Sequence, residues 1–150
     1  LIFALQVKEK YTFDQYWNNP SFQYKKPVLN GSLVQLYGDN IYHKDENGNW
    51  VQENSAHSFE NEMNRDHLSS DTEGYNVVVS DFFYYFGNNY ITIPVDFDEV
   101  ECLVRDFKLI SNDRLVQDLV KWLELNYNMG INGIPINWKM YNIPEEFHLK

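Results

Sequence analysis

The chain has 150 residues, 43% of them hydrophobic and 17% aromatic, with a formal net charge of −10. That length suffices for one domain with a real core, and the rings supply buried area as well as stacking surface. Three arginines and no basic run longer than Lys25-Lys26 exclude a broad phosphate-gripping face, because electrostatic contact with nucleic acid rests on clustered Lys and Arg.

Cys102 is the only cysteine, which rules out an intramolecular disulfide and a cysteine-based zinc site. No stretch approaches the ~18 apolar residues needed to span a bilayer. The first seven residues are apolar, but Lys8, Glu9 and Lys10 follow without a small-residue cleavage site, so no secretory signal is read. A reduced, cytoplasmic setting with no membrane partner is the expectation.

Residues 1–7 (LIFALQV) read as a buried strand with no lead-in. Because Leu1 is not a methionine, either a strand-containing N-terminal segment has been lost or lies on another polypeptide, or the sequence was simply cut there. Thr12 caps a short helix through Trp17, with Asp14 in its first turn and Asn18-Asn19-Pro20 ending it. Residues 20–35 hold Pro20, Pro27 and Asn30-Gly31 and read as loop with at most short strands. Residues 41–43 and 50–52 form two short strands around a turn at residues 45–49 (DENGN). Residues 53–74 are acidic, polar and aperiodic, a long excursion of the kind that carries function or is disordered.

Residues 76–80 (NVVVS) are the clearest strand. Residues 82–86 follow as a second strand, with Phe82, Tyr84 and Phe86 on one face and Phe83 and Tyr85 on the other. Residues 87–89 turn, residues 91–93 make a short edge strand, and Pro94 stops it. Residues 95–110 show no strong period. Ser111 or Asn112 then caps a helix to about Tyr127, with an apolar stripe of Leu115, Val116, Leu119, Val120 and Leu123. Asn128 and Gly130 end it, and the tail is irregular, packed by Trp138, Tyr141 and Phe147. Strands and helices do not alternate regularly, which argues against a doubly wound sheet. The expected fold is a single α+β domain with a small mixed or barrel-like sheet and one long C-terminal helix.

Candidate chemistry concentrates between Tyr37 and Ser58, where acid, amide, hydroxyl, imidazole and three rings fall in a stretch almost free of aliphatic residues. Loop polarity combined with Tyr37, Tyr42 and Trp50 suits a ligand grip better than a core. Dinucleotide, P-loop, zinc-protease and nucleophile-elbow motifs are all missing. His43 and His57 with Asp39 would make a two-imidazole, one-carboxylate metal set, but a 14-residue spacing matches no known signature; the expectation is no metal and no cofactor. Ser55 or Ser58 beside His57 says little, because nucleophile triads are defined by geometry. Asp39 and Asp66 are the better acid–base candidates, since glycosidic hydrolysis needs a carboxylate to activate water or stabilise an oxocarbenium-like transition state. On spacing alone, Gly38-Asp39-Asn40 reads first as an Asx turn. Side-chain amides at Asn40, Gln52 and Asn54 match the donor–acceptor pairs of base edges.

Taken as an ordered series, residues 8–18 (KEKYTFDQYWN), Gly31-Ser32, residues 37–43 (YGDNIYH), residues 50–52 (WVQ), residues 54–58 (NSAHS), Asn64-Arg65-Asp66, residues 79–87 (VSDFFYYFG) and residues 133–135 (GIP) carry a resemblance. The series resembles the nucleotide modification associated domain 2 family, found in bacteria and phages beside DNA-base-modification genes. Members usually carry a further N-terminal segment rich in Gly, Pro and Cys, which this sequence lacks. The order of a first strand and a Thr-Phe-Asp-Gln-Tyr-Trp helix is also similar, more loosely, to PUA-like and EVE-like barrels that hold modified bases.

The resemblance implies recognition of a modified nucleobase, nucleotide or DNA by local contact, linked to base modification or phage–host conflict. An enzyme of the glycosidic-bond hydrolase type (DNA glycosylase-like) and an acidic protein-interaction module are the alternatives. Ligand-binding candidates are Trp17, Tyr37, Asn40, Tyr42, Trp50, Asn54, Ser55, Ser58, Arg65 and Tyr84; acid–base candidates are Asp39, His43, His57 and Asp66. A partner chain or an N-terminal segment is a possible further contributor to the fold.

Overall fold

The computed structural model describes residues 1–60, 62–101 and 108–136. In chain order the elements are β1 (Phe3–Leu5), β2 (Glu9–Tyr11), α1 (Phe13–Asn18), a 3-10 helix (Pro20–Lys25), α2 (Leu33–Leu36), β3 (Tyr42–Lys44) and β4 (Trp50–Gln52). They continue with α3 (Arg65–Thr72), β5 (Val77–Val79), β6 (Phe83–Tyr85), two further 3-10 turns, α4 (Asp113–Asn126) and β7 (Gly130–Ile131). The chain divides into two compact units. One is continuous, Val7–Val79; the other joins Leu1–Gln6 to the segment from Ser80 onward.

In the continuous unit, β2 pairs antiparallel with β5 and β3 with β4. Thr12 starts α1 through a full capping box: its hydroxyl accepts from the Gln15 N–H, and the Gln15 side chain accepts from the Thr12 N–H. The β3–β4 turn is held by Asp45, whose carboxylate accepts from the Asn47 and Asn49 N–H groups. Those hydrogen bonds draw its carboxyl below the usual range, the Asn49 side chain contributing most. Buried Tyr16, Ile41 and Tyr42 form the inside of this unit.

In the other unit, β6 is central, antiparallel to β1 and parallel to β7. Phe86 and Leu123 are each 1% exposed and pack with Tyr84, so α4 is anchored on β6 through Leu123, while Val116 nearer its start stays exposed. Asn112 caps α4, its side-chain Oδ1 accepting from the Leu115 N–H. Burial, with the Glu124 charge second, pushes the Tyr84 phenol up.

The α+β class holds, with a mixed three-stranded sheet and a C-terminal helix; no barrel closes among the described residues. Four local expectations are corrected. Residues 1–7 are not a buried strand: only Phe3–Leu5 is strand, and Ile2, Phe3, Leu5 and Val7 are exposed. Residues 20–35 are not mainly loop: Asn19 and Pro20 open a 3-10 helix, and Ser32 with Gln35 caps one α-turn. The 53–74 excursion contains α3, capped by Asn64, whose polar sequence shows no stripe because none of its residues is buried. Residues 91–93 form no strand; Ile91 instead exchanges hydrogen bonds with Leu1 alone. The tail residues Trp138, Tyr141 and Phe147 lie outside the described residues.

Candidate functional site: an aromatic and acidic cavity

A cavity of about 400 Å³ lies within the continuous unit, in the size range of about 300–1,000 Å³ typical of small-molecule sites. Rings line it from three places: Phe13 and Tyr16 on α1, Tyr37 at the end of α2, and Tyr42 on β3. Its polar lining is Asp39, His57, Asp71 and Asn76, with no lysine or arginine.

Two hydrogen-bonded groups organise that polarity. Tyr16 donates to Asp39 Oδ1 at 2.8 Å, while Lys25 Nζ stands 3.6 Å from Oδ2. Burial, then the Asp39 charge, raises the Tyr16 phenol far above its ordinary range, so it stays a donor. On the second group, Asp71 Oδ2 meets the Tyr42 hydroxyl at 2.6 Å and His57 Nδ1 at 3.0 Å. A carboxylate only accepts, so this contact requires a proton on His57 Nδ1, and in the neutral ring the lone pair is then on Nε2. Burial opposes the charge on Asp71, but the Tyr42 and His57 hydrogen bonds outweigh it and hold the carboxyl below the usual range. Tyr42 is shifted upward, first by burial and then by Asp71.

Gln52 supports this second group from behind. It is buried; its amide donates to the Tyr42 hydroxyl at 3.3 Å and to the His57 carbonyl at 3.2 Å. Its Oε1 accepts from the Asn64 N–H at 2.7 Å, which fixes the amide orientation. The cap residue of α3 is thereby tied to the strand that carries Gln52, and α3 brings Asp71 to the cavity.

Of the residues singled out from sequence, Tyr37, Asp39, Tyr42 and His57 meet at this cavity. The others lie elsewhere. Trp17 stacks on His43 with centroids 4.2 Å apart and takes Lys26 Nζ 3.3 Å from its centroid; His43 Nε2 bonds Glu53 at 2.9 Å. Asn40 is 1% exposed, and its amide donates to the carbonyls of Tyr16 and Phe22, clipping α1 to the following 3-10 helix. Trp50, Arg65 and Asp66 line a separate open depression beside α3. Asn54, Ser55 and Ser58 line a third, of about 280 Å³, where Ser58 Oγ accepts from the Ser55 N–H. Tyr84 belongs to the other unit. Among the described residues no group of three or more His, Cys, Asp or Glu is disposed to hold a metal ion.

Sequence reasoning missed Phe13, Tyr16 and Asp71. The start signal of α3, Asn64 followed by Asp66 in its first turn, was present and would have placed Asp71 on a helix. Among the described residues no helix is long and apolar enough to cross a membrane.

No curated protein and no solved structure matches the chain. A family model does, over residues 1–142, and its description ties it to nucleotide modification: the chain belongs to the nucleotide modification associated domain 2 family.

Proposed function

We propose that the cavity recognises a modified nucleobase, presented as a nucleoside, nucleotide or unpaired DNA base, in the service of DNA base modification. The observation that carries this reading is the convergence of four rings with Asp39, Asp71 and His57 in one cavity of a nucleotide-modification family member. Rings offer stacking faces to any base, and carboxylates accept from exocyclic amino and ring N–H groups. With no lysine or arginine in its lining, the cavity is matched to the base rather than to its phosphate. Contact with a DNA backbone is then local, and the base enters the cavity out of the stack.

Calorimetric titration with modified and unmodified nucleosides, and with short single strands containing them, tests the reading. One modified base is expected to bind more tightly than its unmodified parent. Tyr37→Ala should weaken that binding about five- to 150-fold, the equivalent of the ~1–3 kcal/mol of one stacking ring. Equal or undetectable binding of both forms refutes it.

A further inference from the structure

The acidic partner of His57 is Asp71 on α3, and the pair has the arrangement of a general base with its orienting carboxylate. Nδ1 donates to Asp71, Nε2 keeps the lone pair, and the His57 side chain is 47% exposed, so water reaches it. Asp71 is itself anchored by Tyr42, and Tyr42 by Gln52, so the orientation of the imidazole is set by buried groups. Both His57 and Asp71 line the cavity that also contains Asp39.

We propose that this cavity is a hydrolytic site for the N-glycosidic bond of a bound modified nucleoside, with His57 as general base, Asp71 as its positioning residue and Asp39 as the electrostatic stabiliser. The proposal rests on the nucleobase reading above. The sign of the charge selects the reaction. Phosphoryl and acyl transfer gather negative charge in the transition state, which Asp39 and Asp71 oppose. Departure of a base gathers positive charge on the sugar ring, which a carboxylate stabilises.

In the step itself, His57 Nε2 takes a proton from water as the water oxygen bonds to C1′. The C1′–N bond breaks and its electron pair leaves with the base. The departing base nitrogen takes a proton from solvent and His57 returns its own to water, giving free base and free sugar. While His57 is protonated, Asp71 balances its charge, and Asp39, held by Tyr16, faces the sugar cation.

The test starts from a panel of 2′-deoxynucleosides: thymidine, 2′-deoxycytidine, 5-hydroxymethyl-2′-deoxyuridine, 5-hydroxymethyl-2′-deoxycytidine and N6-methyl-2′-deoxyadenosine, free and within short single strands. Binding is measured first, and each binder is then incubated with the protein and analysed by chromatography and mass spectrometry. The expected result is free base and an equal amount of free sugar or abasic strand. His57→Gln and Asp71→Asn should each lower kcat at saturating nucleoside about 100-fold or more, a larger loss than either shows in binding. Binding without any base release by the wild-type protein overturns the proposal and leaves the nucleobase reading standing. Release that is unchanged in His57→Gln overturns the role of the dyad. If no panel member binds, the nucleobase reading falls and this inference falls with it.

Discussion

Replacing Tyr42 by Phe removes one oxygen from the network under the cavity and keeps the ring. Tyr42 is 5% exposed, and its ring meets Phe13 in a T-shaped contact with centroids 6.2 Å apart, which Phe preserves. The lost hydroxyl donates to the Asp71 carboxylate at 2.6 Å, and a hydrogen bond to a charged group contributes about 1.5–3 kcal/mol. Two effects reduce the net loss. The Asp71 side chain is 36% exposed and regains water, and Gln52 keeps the His57 carbonyl as an acceptor. A loss of about 1–2 kcal/mol remains, which lowers Tm by roughly 2–8 °C in a chain of this length. Urea unfolding gives the energy, and NMR titration of the Asp71 carboxyl gives the cause: its pKa should rise toward the ordinary carboxylate value. A loss below about 0.5 kcal/mol, or an unshifted Asp71, would refute the account of Tyr42 as the anchor of that carboxylate.

Acid should act on the same group. Because the folded protein holds the Asp71 carboxyl below its ordinary value, its contribution to stability is complete above the unfolded pKa near 3.9 and is lost as pH falls through the lower folded value. Asp71→Asn should therefore flatten the acid limb of the urea midpoint between about pH 5 and 2, and an unchanged limb would contradict it. Gly38→Ala places a methyl 2.4 Å from the Lys25 carbonyl oxygen and 2.7 Å from the Pro27 nitrogen, both fixed backbone atoms. It should cost about 1–3 kcal/mol in urea unfolding and weaken ligand binding by displacing Tyr37 and Asp39; an unaltered midpoint would show that the two backbones separate freely. In the other unit, Leu123→Ala empties a site 1% exposed beside Tyr84 and Phe86 and should cost about 2–5 kcal/mol, measured the same way. A smaller loss would mean that α4 settles onto β6 without a cavity.

How much could be read from sequence depended on whether a signal was local. Thr12 and Asn112 sit at helix starts, and their caps are made within three residues, so both helices were readable. The 45–49 turn was readable for the same reason, since Asp45 is satisfied by Asn47 and Asn49. Ser32 and Gln35 carried an equally local signal, passed over because Gly31 and Pro27 dominated the reading of that stretch. Other features are products of distance. Gly130 reads as a helix stop, and nothing near it shows that it pairs with Tyr84. Asp71 and His57 are 14 residues apart and meet only once α3 forms, so their hydrogen bond has no sequence pattern. The polar stretch from Tyr37 to Ser58 stands out in composition, yet its side chains serve several surfaces, with His43 and Asn40 occupied by Glu53 and by the Tyr16 and Phe22 carbonyls.

The order of the two units along the chain bears on how the protein reaches its native state. Residues Val7–Val79 interrupt the other unit, whose β1 must find β6 across the whole insert, with Leu5 opposite Phe83. Closing so long a loop in an open chain is slow and entropically expensive. The insert's own terminal strands, however, pair with each other, Glu9 opposite Val79. Once they do, the distance still to be closed shrinks from some 80 residues to a handful, three to four halvings that recover roughly 2 kcal/mol of loop entropy. The continuous unit is thus a folding clamp as well: it is built from contiguous chain, and its closure delivers the first strand to its partner.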